Sequence, residues 1–318
     1  MDCLVDLGSP NQRTAAHREG TEGDMTALPE AYFRAEVIEV RSLSSVMRRI
    51  VLGGPGLADY QSSGAPDEWF RLMVPPERQR HVELPIKHGQ QFHFANPQPS
   101  PRWYSLRRWD PEHCQVTVDV VVHEHGAATR WAETVEPGDE LLISQPHGRG
   151  IDTTADWMLI LADQTGIPAA CRILENLSPA QHAHAVFEAP NEEATFTPSS
   201  PAQLKVCWAY NPSPATIPSP LSAAVRTIEL PPGRGYVWMA GEAACARDVR
   251  RYFRHELKWR SPQFDIVGYW RPNQDAYQRR YREVESQVAE VYANGRRTGQ
   301  PDDDILDEVY SVMESRGL

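Results

Sequence analysis

Residues Trp157–Ala162 read Trp-Met-Leu-Ile-Leu-Ala, an apolar run with no polar interruption. A strand with one wet face alternates, so a run like this is stable only when both faces are covered. It leads through Asp163-Gln164-Thr165-Gly166 into a helix over Pro168–Leu177, with proline in the first turn. The same order then recurs. Ala183–Glu188, Lys205–Tyr210, Tyr236–Ala240 and Phe264–Tyr269 read as strands, and Leu221–Thr227 and Ala243–Trp259 as helices. Strand alternating with helix predicts a parallel sheet with covering helices.

Before Gly150 the pattern is different. Phe33–Arg41, Val46–Leu52, Trp69–Val74, Trp103–Leu106, Val116–Val122 and Glu140–Ser144 are short strands separated by turn signals such as Pro137-Gly138-Asp139. Six such strands suggest a small antiparallel barrel. Residues 75–100 read as an irregular insertion, and Gly126–Thr134 as the one helix of this half. The expected architecture is α/β with two domains. An antiparallel β-barrel covers 31–150, a parallel-sheet α/β nucleotide-binding domain covers 151–271, and a helical extension covers 272–318. In that extension Tyr277, Tyr281, Val284, Val288 and Val291 form one helical stripe, which Asn294-Gly295 is expected to end before a second helix over Ile305–Glu314. Residues 1–30 are polar and aperiodic and read as a disordered tail.

Composition excludes several classes. The net charge of −11 offers no global basic field for nucleic acid or anionic lipid. The five cysteines are scattered and odd in number, which signals neither a disulfide framework nor a metal or iron–sulfur site. No apolar run is long enough to span a membrane, and the first residues lack a signal-peptide core, so a cytoplasmic protein is expected.

Four segments could carry chemistry. In Arg102-Trp103-Tyr104-Ser105-Leu106-Arg107, strand alternation puts Arg102, Tyr104 and Leu106 on one side and Trp103, Ser105 and Arg107 on the other. The run offers a guanidinium for a phosphate, a flat phenol for stacking and a hydroxyl for a ring nitrogen, all of which a flavin dinucleotide needs. Alone, it reads better as an edge strand with solvated arginines. Next, Asp119–His123 is a strand that turns at Gly126 into a helix. The backbone amides of Gly126, Ala127, Ala128 and Thr129 there would face outward as an anion site. The third segment, Leu159–Ala170, places Asp163 and Thr165 where a doubly wound fold binds a dinucleotide phosphate, although G-x-G-x-x-G is absent. The fourth, Trp238–Ala244, repeats strand, glycine turn and helix at Gly241-Glu242.

In this order the segments resemble the siderophore-interacting protein family, flavin-dependent ferric-siderophore reductases of the ferredoxin-reductase superfamily. The resemblance spans about residues 32–271. It rests on R-x-Y-[ST]-x-R at 102–107, V-H before G-x-A-[ST]-x-W-A at 126–132, the P-G-D turn and Gln145-Pro146-His147-Gly148. D-x-T-x-x-P-A from Asp163, A-G-E-A from Ala240 and Gly268-Tyr269-Trp270-Arg271 complete it.

The resemblance implies bound FAD, with NADH or NADPH as donor and a ferric siderophore as acceptor. Arg102 and Arg107 would hold the pyrophosphate or ribityl side, with Trp103 in the same strand. Tyr104 would stack on the isoalloxazine, and Ser105 would bond near its N5, making these two the catalytic pair. His123 and Gly126–Thr129 would complete the cradle. Asp163, Thr165, Gly241 and Glu242 would line the nicotinamide path, and Arg271, with Lys258 second, would draw in an anionic chelate. No protein metal site is implied, because the iron arrives chelated. The chain departs from the family at Ala162-Asp163-Gln164-Thr165, where G-D-E-T is usual. It departs again at neutral Trp208–Asn211, where a basic residue is common, and at Pro272-Asn273, where a glycine follows Y-W-R. Neutral Asn211 and acidic Glu188 lean towards NADH. The alternatives are a reductase for free flavin, a quinone or a redox partner protein, and a flavin-free protein that only binds a ferric siderophore.

Overall fold

A computed structural model describes residues 31–88, 91–122 and 127–318. The predicted tail, His123 and Gly126 lie outside the described residues.

The first half contains β1 (Tyr32–Ser44), β2 (Met47–Gly53), β3 (Trp69–Val74), β4 (Ile86–His88), β5 (Gln91–His93), β6 (Ser100–Ser105), β7 (Arg108–Asp110), β8 (Gln115–Val121), helix α1 (Ala127–Thr134) and β9 (Glu140–Ser144). Seven strands form one antiparallel sheet in the order β6-β3-β9-β1-β2-β8-β7, and β4 pairs with β5 apart from it. Side chains two apart point inward together: Ala35 and Val37, Ile50 and Leu52, and Val116, Val118 and Val120 are all fully buried in one core. The two edges, β6 and β7, are joined by Leu106 and Arg107 alone, so the sheet must curl until they meet. Leu106 N–H to Glu68 O at 2.8 Å continues the β6–β3 pairing and Arg107 N–H to Thr117 O at 3.0 Å the β7–β8 pairing, so these two residues pass from one edge strand to the other. Pro101 is tolerated because β6 is an edge. Strands β4, β5 and β7 escape a sequence reading because three residues are too few to show a period.

The second half contains β10 (Trp157–Ala162), α2 (Ile167–Glu175), β11 (His182–Ala189), β12 (Gln203–Tyr210), α3 (Leu221–Ala224), β13 (Gly235–Glu242), α4 (Ala243–Arg251) and β14 (Phe264–Trp270). The sheet is parallel with order β12-β11-β10-β13-β14. All six residues of β10 are buried, as the unbroken apolar run requires. The helix expected over Ala243–Trp259 gives way after Arg251 to a wider turn at Tyr252–Glu256. That turn carries Phe253 into the core, 5.2 Å from Trp259.

Helices α5 (Gln274–Arg297) and α6 (Asp302–Ser315) form a hairpin with its own small core of Val284, Val288, Val309 and Met313. Asn294-Gly295 does not end α5. A Cβ at position 295 would lie 2.4 Å from Ile305 Cγ1, so the glycine serves close packing of α6 rather than termination. Among the described residues no helix is long and apolar enough to cross a membrane.

Candidate functional site

Strand order reverses between β10 and β13, and ligands of open α/β sheets bind at the carboxyl ends of strands flanking such a point. Asp163 follows β10 there. Its carboxylate accepts from Thr165 N at 2.8 Å, Thr165 Oγ1 at 2.6 Å and Trp270 Nε1 at 2.6 Å. Burial raises its pKa against these donors. Gly241 makes room for it, since a Cβ there would lie 2.8 Å from Asp163 Oδ2. Glu242 caps α4 by accepting from Ala244 N and Cys245 N, each at 2.8 Å. The two helix starts that the sequence offers as phosphate sites therefore already hold carboxylates of their own. Asp163 and Glu242 shape the crevice, and incoming phosphates meet occupied amides.

Glu188, near the end of β11, is buried and accepts from Asn211 Nδ2 at 2.8 Å and from Ser219 Oγ. Burial pushes its pKa up to about 7. In the unfolded chain it would titrate near the ordinary glutamate value of about 4.3. Between these values the folded protein holds a proton that the unfolded chain has released, so this group's contribution to stability falls as pH rises through the window. Glu188→Gln should therefore stabilise the protein relative to the parent by about 1–3 kcal/mol above pH 7, with the difference vanishing below pH 4. Denaturant midpoints of both proteins from pH 4 to 8 measure this, and a pH-independent difference would refute it.

On the barrel, β6 positions the predicted cradle. Arg102 is half-buried, and its Nη1 donates to Ser100 Oγ at 2.7 Å and Pro101 O at 2.8 Å. Trp103 lies under Arg71, 4.6 Å from guanidinium carbon to ring centroid. Tyr104 packs half-buried on the barrel core. Ser105 is buried, and among the described residues its Oγ has no partner at hydrogen-bond geometry. Thr129 Oγ1, in the first turn of α1 beside buried Ala128, is likewise buried without a partner among the described residues. A buried hydroxyl left unpaired costs about 1–3 kcal/mol, so both fit a ligand carrying hydrogen-bonding atoms, as the predicted flavin does.

Sequence reasoning quotes Tyr269 in a motif but assigns it no part in the site. Half-buried at the end of β14, it brings the second domain up to Ser105. Burial pushes its phenol up to about 12, and the Ser105 hydroxyl, near enough to act on it, opposes that shift.

Other predicted residues are drawn elsewhere. Arg107 makes a bidentate pair with Glu175 of α2, at 2.8 and 2.6 Å, so it ties the domains together rather than lying open to a ligand. Beside it Arg172 bonds Leu106 O at 2.8 Å and Glu68 Oε2 at 2.6 Å. Arg149 adds a third tie to Asp265 at 2.9 Å. Arg271 is 7% exposed, with its guanidinium 3.4 Å from the centroid of the Tyr277 ring. Lys258 is exposed, but it adjoins Trp259, which packs on Trp157 at the amino end of β10, the end of the sheet away from the crevice. The structure does not bring Arg271 and Lys258 together.

Residues 36–150 match the model of the siderophore-interacting FAD-binding domain, and residues 155–273 that of the siderophore-interacting protein. A siderophore utilization protein from T. fusca superimposes with a TM-score of 0.69 at 30% identity, covering 77% of this chain and 94% of that one. Ferric vibriobactin reductase of Vibrio cholerae is 23% identical over 76% of this chain and 91% of its own length. The NADPH-dependent ferric-chelate reductase of Escherichia coli is 24% identical over 74% and 91%.

Proposed function

The chain belongs to the siderophore-interacting protein family and carries its FAD-binding domain, and from that premise we propose that it reduces a ferric siderophore with electrons from a nicotinamide nucleotide. The observation that carries this reading is the pair of buried, unpartnered hydroxyls, Ser105 Oγ and Thr129 Oγ1, on the two segments that would hold the flavin. FAD, when bound, accepts a hydride and can release its electrons singly, which suits a two-electron donor and a one-electron ferric acceptor. The protein's part is holding and orienting. Arg102 supplies charge for the pyrophosphate, Tyr104 a stacking face, and Ser105 a hydroxyl to the ring. Thr129, with the amides that open α1, completes the cradle. On the other side, Asp163 and Glu242 fix the turns that border the crevice, and Tyr269 closes towards Ser105. Reduction loosens the iron, because hard oxygen ligands hold Fe(II) far less tightly than Fe(III).

Neither member of the Glu188–Asn211 pair carries a positive charge to grip a 2′-phosphate, so NADH should serve at least as well as NADPH. The test is anaerobic stopped-flow on the purified yellow protein: bleaching by each donor, then recolouring by a ferric siderophore with ferrous iron trapped by a chromogenic chelator. Bleaching without ferrous release would point to another acceptor, and a colourless protein that binds the chelate would point to a carrier.

A further inference from the structure

The arginines that face α6 are answered by carboxylates. Arg250 pairs with Asp303 at 3.0 Å, Arg254 with Asp307 at 3.1 Å, Arg260 with Asp304 at 3.3 Å, and Arg251 with Glu314. Two neighbours are not answered. Arg247 on α4 and Arg271 after β14 have no carboxylate at ion-pair distance among the described residues. Arg247 Nη1, Arg271 Nε and Tyr277 Oη are all buried without a hydrogen-bond partner. The backbone gathers them. Asn273 takes a left-handed φ of 54° and returns the chain so that Tyr277 of α5 covers Arg271. Burial and the nearby Arg247 charge hold the Arg271 pKa below its ordinary value. Glu242 is in the same neighbourhood, but its carboxylate is taken by the α4 amides.

Two neighbouring cations with buried N–H groups unmet lack a direct ion-pair partner among the described residues. We propose that Arg247, Arg271 and Tyr277 form a binding site for one phosphate group, free or carried by a nucleotide. Three donors from three separate segments suit a group with three acceptor oxygens better than a planar carboxylate. Arg271 lies too deep for a bulky ferric chelate to surround. Arg247 also borders a cleft between α4 and α6, lined by Tyr310 and Ser311 and, further along, by Asp307 and Glu314, which already face Arg250, Arg254 and Arg251. The site stands independently of the reductase reading.

Calorimetric titration of the flavin-loaded protein with inorganic phosphate, in chloride buffer at constant ionic strength, tests it. The parent should bind phosphate saturably. Arg247→Gln should weaken binding about ten- to a hundredfold, the loss of one charge-assisted contact, and Tyr277→Phe by a smaller factor. Because Arg247 has no partner to lose, its variant should melt no lower than the parent in phosphate-free buffer. That keeps a folding defect apart from a binding one, and an unchanged flavin spectrum separates this outcome from the flavin assignment. Displacement of phosphate by NADPH but not NADH would identify the 2′-phosphate as the source, and displacement by neither would identify the free anion. No saturable binding by the parent, or unchanged binding by both variants, would overturn the proposal.

Discussion

Arg172→Ala should lower the stability of the protein by about 3–5 kcal/mol, because it strands a buried carboxylate. The Glu68 side chain is 0% exposed and that of Arg172 11%, and they meet at 2.6 Å across the domain boundary. The carboxylate also accepts from Ser62 Oγ at 2.6 Å and Ser63 Oγ at 2.7 Å. Neutral hydroxyls cannot replace the guanidinium. The variant also loses the bond to Leu106 O. Urea titration followed by tryptophan fluorescence measures the loss. The double variant Glu68→Gln/Arg172→Met should recover much of it, because glutamine keeps the serine contacts without the stranded charge. A single variant within 1 kcal/mol of the parent would show that the pair holds nothing together.

Arg102→Ala should cost the protein its flavin. On the proposed reading its guanidinium meets a phosphate through a charge-assisted bond worth about 1.5–3 kcal/mol, so FAD affinity should fall roughly ten- to a hundredfold. Ser105→Ala and Thr129→Val each remove only a neutral hydroxyl, so each should weaken FAD less, by about two- to tenfold. The two hydroxyl variants should also melt higher than the parent once stripped of cofactor, since each deletes a buried unpaired group. Titration of stripped protein with FAD, followed by flavin fluorescence, ranks all three. If Arg102→Ala holds flavin as firmly as the parent, the arginine does not bind it.

Both sheets were legible in the sequence because their signals are local. The unbroken run of Trp157–Ala162 and the alternation of Val116, Val118 and Val120 state their burial without reference to any distant residue. The fate of each arginine was not legible. Arg102 and Arg107 sit five residues apart in one motif, yet Arg107 is claimed by Glu175, a partner 68 positions away. Arg271 reads as a surface cation until α5 folds Tyr277 over it. Asn294-Gly295 has the composition of a helix stop, and only the approach of Ile305 shows what the glycine is for. The two unpartnered hydroxyls could be nominated from the motifs, but their burial is a tertiary fact.

The two residues that bridge the barrel's edges, Leu106 and Arg107, are also the ones that Arg172 and Glu175 of α2 grasp. The domains are therefore not interchangeable modules. A chimera that joined this barrel to a foreign parallel-sheet domain would keep every barrel residue of the proposed flavin cradle and still lack the two side chains that hold the end of its strand. Exchange between relatives should succeed only where α2 travels with the barrel it was matched to.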